Sequence, residues 1–86
     1  MTDMRGKEVR EPLGVRVRRL RQERGLAQDR LAIEANVDQS GLSKFERGKA
    51  GHIAPAPLRR IAAVLGVPIE ELVHGTDMEA RQDSSK

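Results

Sequence analysis

The chain has 86 residues, a formal net charge of +3, no cysteine, and Phe45 as its only aromatic residue. That length holds about one small core, with no second domain to bind an effector or run a reaction. Disulfides and thiolate metal sites are excluded, as are a membrane span of roughly 18 apolar residues, an apolar secretory leader and an aromatic platform for stacking unpaired bases, which together suit a reducing cytoplasm.

Residues 1–11 are polar, charged and aperiodic, which predicts a flexible basic arm. Residues 1–24 carry eight bases against four acids, whereas residues 66–86 carry two against five. The basic end would attract a polyanion, although a merely soluble basic surface has the same balance. Pro12 suits the start of a first helix, in which Leu13, Val17 and Leu20 recur at i, i+4 and i+7 before a stop at Gly25.

A second helix is predicted from about Gln28 to Ala35, burying Leu31, Ala32 and Ala35 and ending at Asn36, a residue that tolerates the left-handed conformation. Asp38 then caps a third helix, from Gln39 to Arg47, that Gly48 closes. At 100° per residue, Leu42 and Phe45 share one side of it, while Ser40, Ser43, Lys44 and Arg47 take the other with Gln39 at its edge. Two apolar anchors thus leave an outward face of hydrogen-bond donors. Gly51 and Pro55, with Pro57 just beyond, mark residues 49–56 as a loop. A fourth helix runs from about Pro57 to Leu65, with Leu58, Ile61, Ala62 and Leu65 inward, and a last short one from Ile69 to Val73. Residues 75–86 read as a disordered polar tail. The expected fold class is all-α, a compact bundle of five helices over residues 12–74.

Residues 18–26 (Arg-Arg-Leu-Arg-Gln-Glu-Arg-Gly-Leu), Gln28, Leu31-Ala32, residues 42–49 (Leu-Ser-Lys-Phe-Glu-Arg-Gly-Lys) and residues 58–68 (Leu-Arg-Arg-Ile-Ala-Ala-Val-Leu-Gly-Val-Pro) stand in an order and spacing that resemble the Cro/repressor-type, or Xre-like, helix-turn-helix family. The resemblance covers about 60 residues and implies a lambda-repressor-like domain whose helix-turn-helix unit occupies about 28–47. In such units the second helix of the motif enters the major groove while the first crosses the backbone. Carried over residue by residue, the resemblance places Gln39, Ser40 and Lys44 as base readers. It places Gln28, Ser43, Arg47 and Lys49 at phosphates, with Gln28 also bracing Gln39, and it joins Arg21 to Glu46 in a partly buried ion pair of structural role. Three positions depart from the family pattern: Ala27 replaces a capping hydroxyl, Asn36 replaces a usual glycine, and Gly41 lies inside the recognition helix, where it costs up to about 1 kcal/mol against alanine. The loop around His52 and Ile53 also runs slightly long.

The implied function is a sequence-specific regulator of transcription that binds double-stranded DNA, a repressor in the leading reading. It would act as a homodimer on a pseudo-palindromic operator. Ile69, Leu72 and Val73 form an apolar patch that either meets a symmetry mate or caps the core. An antitoxin, a restriction-modification controller protein, or an interaction module that has lost its DNA contacts would share the fold, and a toxin or other regulator is a further conceivable protein partner. No cofactor, metal, small-molecule ligand or membrane is expected. His52 and His74 read as solvated rather than metal-bound, and no nucleophile, base pairing or glycine-rich phosphate loop supports an enzyme. The expected location is the cytoplasm, on the nucleoid.

Overall fold

The computed structural model describes residues 11–49 and 53–77. Five helices follow one another: α1 (Leu13–Glu23), α2 (Gln28–Ala35), α3 (Gln39–Glu46), α4 (Pro55–Leu65) and α5 (Ile69–Val73). Among the described residues there is no strand, only a single parallel bridge between Glu11 and Thr76.

Chain geometry explains the boundaries. Asn36 adopts the left-handed conformation at φ 56° and ψ 52°, so the amide of Val37 turns back onto the carbonyl of Ala32 at 2.9 Å and α2 stops. Asp38 is extended, and its carboxylate accepts from the amide of Gly41 at 2.9 Å, supplying the first turn of α3 with a partner. Ala27 has no side chain to offer in this way, and α2 begins without a side-chain cap. α4 starts two residues before the sequence pattern placed it, because Pro55 takes the first helical position, where a missing N–H costs nothing. Arg47 is the C-cap of α3 rather than its last turn, with Gly48 at φ 76° behind it.

The core draws on every helix: Leu13 and Val17, then Leu31, Ala32 and Ala35, then Leu42 and Phe45, then Leu58, Ile61, Ala62 and Leu65, then Leu72 and Val73. α1 packs on α3, α2 lies against both α3 and α4, and α5 closes over α1 and α4. Gly14 lets α1 approach α3 closely, since a Cβ there would stand 1.6 Å from the carbonyl oxygen of Phe45. No other residue type fits that crossing.

Three arginines fasten helix ends across the bundle. Arg16 donates to the carbonyls of Glu71, Leu72 and His74 at the end of α5, Arg24 to that of Leu65 at 2.6 Å, and Arg60 to that of Ala35 at 2.7 Å. Each places a cation at the negative end of a helix dipole and satisfies a carbonyl that has no partner within its own helix.

The ends of the folded unit differ from the sequence reading. Glu11, assigned to the loose arm, pairs with Arg16 and Arg19 and bonds through its carbonyl to the amide of Asp77 at 3.1 Å. Gly75 to Asp77, assigned to the tail, are part of the fold. Thr76 is fully buried with its hydroxyl on the carbonyl of Val73, and Asp77 caps α1 by accepting from the amide of Leu13 at 3.1 Å. These polar residues order because they satisfy backbone groups at two helix ends. Most of the predicted arm (residues 1–10), most of the tail (78–86) and His52 lie outside the described residues.

Candidate nucleic-acid interface

The site grows out of the sidedness of α3. Leu42, Phe45 and Glu46 are buried beneath it. Gln39, Ser40, Gly41, Lys44, Arg47 and the following Lys49 are exposed, and Ser43 is half-buried. Only residues 36–38 separate α2 from α3, so the two helices meet at a fixed angle that is set by the Asn36 turn and by Val37 packed against the core. The outward face is about 12 Å wide at most, the width of an α-helix with its side chains, which the major groove admits.

A chain of hydrogen bonds runs from beneath α3 to its surface. The guanidinium of Arg21 clasps the carboxylate of Glu46 in two parallel bonds, Nε to Oε2 and Nη2 to Oε1, both 2.9 Å. Glu46 is only 1% exposed, and Arg21 also donates to the carbonyl of Leu26 at 2.8 Å. Gln28, the first residue of α2, donates its Nε2 to Oε1 of Glu46 at 3.1 Å. Gln39, the first residue of α3, donates its Nε2 to Oε1 of Gln28 at 3.3 Å. Glu46 therefore lies under the helix and away from the exposed face.

The remaining cations of this face are little engaged. Arg47 donates to the hydroxyl of Ser43 at 2.9 Å, one turn back along the helix. Lys44 and Lys49 have no ion pair among the described residues. The basic first quarter of the sequence either attracts a polyanion or is simply a basic surface, and most of its described cations are engaged within the molecule. Of its described cations, Arg16, Arg19, Arg21 and Arg24 are bonded to protein carboxylates or carbonyls, leaving Arg18 without such a bond.

The apolar patch predicted on α5 is also redistributed. Leu72 and Val73 are buried in this chain's own core, and of the three only Ile69 is partly exposed. A five-residue helix has one apolar side, and α1 and α4 cover it. Among the described residues no group of histidine, cysteine, aspartate or glutamate is arranged to hold a metal ion, and no helix is long and apolar enough to cross a membrane.

The contributions that sequence reading missed are Gly14, the carbonyl-capping arginines, Thr76 and Asp77. Gly14 had a detectable signal, a glycine inside an otherwise regular helical pattern. The arginines and Asp77 act on residues 25 to 64 positions away, for which no local pattern exists, whereas Thr76 bonds Val73 three residues back.

Two short helices joined by a three-residue turn, with the second held out from the bundle by two apolar anchors, define a helix-turn-helix module. A model of the helix-turn-helix domain family matches residues 12–74, and the chain belongs to that family. The Cro/repressor-type resemblance and the all-α, five-helix fold class read from the sequence both hold. The chain is 40% identical over 62 residues to the uncharacterized HTH-type transcriptional regulator RghRB of Bacillus subtilis, covering 72% of this chain and 45% of that one. It is 38% identical over 64 residues to the HTH-type transcriptional repressor RghR of the same organism, covering 74% and 47%. The chain thus spans slightly under half the length of these two curated relatives. Its fold is similar to the crystal structure of SinR, a master regulator for biofilm formation, in complex with DNA, with a TM-score of 0.67 and 33% identity over 71% of this chain and 97% of that one. The named relatives are regulators of transcription and not enzymes.

Proposed function

We propose that this chain is the DNA-binding unit of a sequence-specific transcriptional regulator, acting as a repressor from the cytoplasm on the nucleoid. The unit comprises residues 12–74, with its helix-turn-helix over about 28–47. α3 enters the major groove, where Gln39, Ser40 and Lys44 read base edges, while Gln28, Ser43, Arg47 and Lys49 hold phosphates. The observation that carries this reading is the exposed, donor-rich face of α3 raised on Leu42 and Phe45. Kinship with named transcriptional regulators and likeness to a DNA-bound fold support it.

One such module buries too little surface for tight specific binding, so a homodimer on a pseudo-palindromic operator completes the proposal. With Leu72 and Val73 committed to the core, Ile69 is the residue of that patch left for the dimer surface. Titrating the protein into random-sequence duplex at 50 and 200 mM salt tests the reading. With Arg47 and Lys49 from each of two subunits at phosphates, affinity falls on the order of a hundredfold between the two salts. Equal affinity at both, or no binding at either, refutes it.

A further inference from the structure

We propose that Glu46 is a positioning residue for base recognition, fixing through Gln28 which end of the Gln39 amide faces the DNA. The proposal rests on the DNA-reading role of Gln39 and adds the origin of its orientation.

The physical basis is the direction of the hydrogen bonds. A carboxylate offers only lone pairs, whereas a primary amide has a donor end and an acceptor end. Glu46, buried and clasped by Arg21, can therefore only accept, and Gln28 must turn its Nε2 inward to meet it at 3.1 Å. That choice leaves Oε1 of Gln28 facing Gln39. An oxygen there can only be met by a donor, so Gln39 presents Nε2 to it at 3.3 Å. Gln39 is left with its second N–H and both lone pairs of Oε1 free, one donor and one acceptor side by side, the pair that an amide needs to bond N7 and N6 of adenine together. A flipped Gln39 would set oxygen against oxygen.

An exposed glutamine on its own has no such preference, because a half-turn of its amide costs little in water and reverses the donor and acceptor that a base would meet. The orientation is imposed from a group that is 1% exposed and never reaches the groove. Gln28 keeps one N–H of its own for a phosphate. The same residue thus relays a direction inward to outward and anchors the backbone.

The test separates direction from stability. Removing Glu46 alone strands the Arg21 charge, so the informative variant replaces both, Arg21→Met with Glu46→Gln. That pairing leaves no uncompensated ion, and a glutamine at position 46 can present either end to Gln28. Binding sites are selected from a random duplex pool with the parent chain, the double variant, Gln39→Ala and the triple combination. The expected result is a loss of about fivefold to tenfold in preference at the base position that Gln39→Ala relaxes, none elsewhere, and no further loss in the Gln39→Ala background, since a good bidentate contact discriminates by 1–3 kcal/mol. A double variant that keeps the parent preference, or that weakens all sequences equally as a purely structural role would, overturns the proposal.

A second measurement stands free of DNA and of the variant's stability. In the parent chain, side-chain amide protons of Gln39 exchange more slowly than those of Gln22, which is exposed and makes no such bond. Equal exchange overturns the relay. If Gln39→Ala leaves every base preference intact while Gln39 is protected, the base-reading assignment fails and the relay stands.

Discussion

α1 and α3 lie against each other, and the four arginines of α1 are used differently from the cations that Lys44, Arg47 and Lys49 place on and just behind α3. On α1, Arg16, Arg19 and Arg21 are bonded to carboxylates and carbonyls of the same molecule, and Arg24 behind it reaches Leu65. Among the described residues, Lys44 on α3 has no ion pair, and Arg47 at its C-cap bonds a neutral hydroxyl. Counting charge along the chain points to the first helix. Counting unspent donors points to the third. A polyanion is recognised by groups with capacity left over, and a guanidinium that already satisfies a buried carboxylate has none to give. Substitutions whose effects divide between stability and binding test this difference.

The largest effect belongs to the one place where the two helices share a charge. Glu46→Ala strands the guanidinium of Arg21, which is only 11% exposed, and removes the partner of Gln28. Breaking a buried pair from one side costs about 3 to 5 kcal/mol, read as a fall in the urea midpoint at unchanged slope. That is a large share of what an 86-residue chain has to lose. A loss below 1 kcal/mol would mean that the pair is as weak as an exposed one.

Arg16→Ala comes next and is the control for α1. It releases three carbonyls at the end of α5 and the Glu11 carboxylate. Hydrogen bonds from a charged donor are worth about 2 kcal/mol, so thermal stability falls. Base preference should not move, because none of these partners lies on α3. A changed consensus in site selection would show that α1 contributes to reading after all. Lys44→Ala reverses the pattern. Stability stays within about 0.5 kcal/mol, as for most exposed positions, while discrimination at one base pair drops by roughly tenfold. An unchanged consensus removes Lys44 from the base readers.

Legibility in the sequence followed the range of the interaction. The helix starts and stops at Asn36, Asp38 and Gly48 could be read because a left-handed residue or a capping carboxylate acts within three or four positions. The inward set Leu42 and Phe45 could be read because helical periodicity is local as well. What stayed hidden was the allocation of polar groups. Nothing around Arg16 says that it will meet carbonyls 55 to 58 residues on, and nothing around Asp77 says that it will cap a helix 64 residues back. Whether Leu72 and Val73 would meet a symmetry mate or cap the core stayed open for the same reason: burial of a five-residue helix depends on where α1 and α4 arrive, not on its own pattern. In the candidate site, the outward face of α3 was legible from periodicity, whereas pairing of Arg21, Glu46, Gln28 and Gln39 came from family resemblance rather than from spacing.

The smallest effect is the one that separates folding from reading most cleanly. Gly41 lies in the first turn of α3, exposed, in helical conformation, and a Cβ added there would meet only Oδ2 of Asp38 at 3.6 Å, ordinary van der Waals contact. No steric reason within the folded chain requires glycine, and alanine has the better helix propensity by up to about 1 kcal/mol. Gly41→Ala therefore raises the melting temperature by a few degrees. Gly41 sits between Ser40 and Leu42 on the end of α3 that carries Gln39, so the same methyl would stand between helix and base edges wherever backbone approaches DNA closely. A variant that melts higher and binds its selected site more weakly assigns Gly41 to the groove. A variant that melts higher and binds equally well leaves glycine at this position without a role in recognition, and confines the reading surface to the side of α3 bearing Lys44 and Arg47.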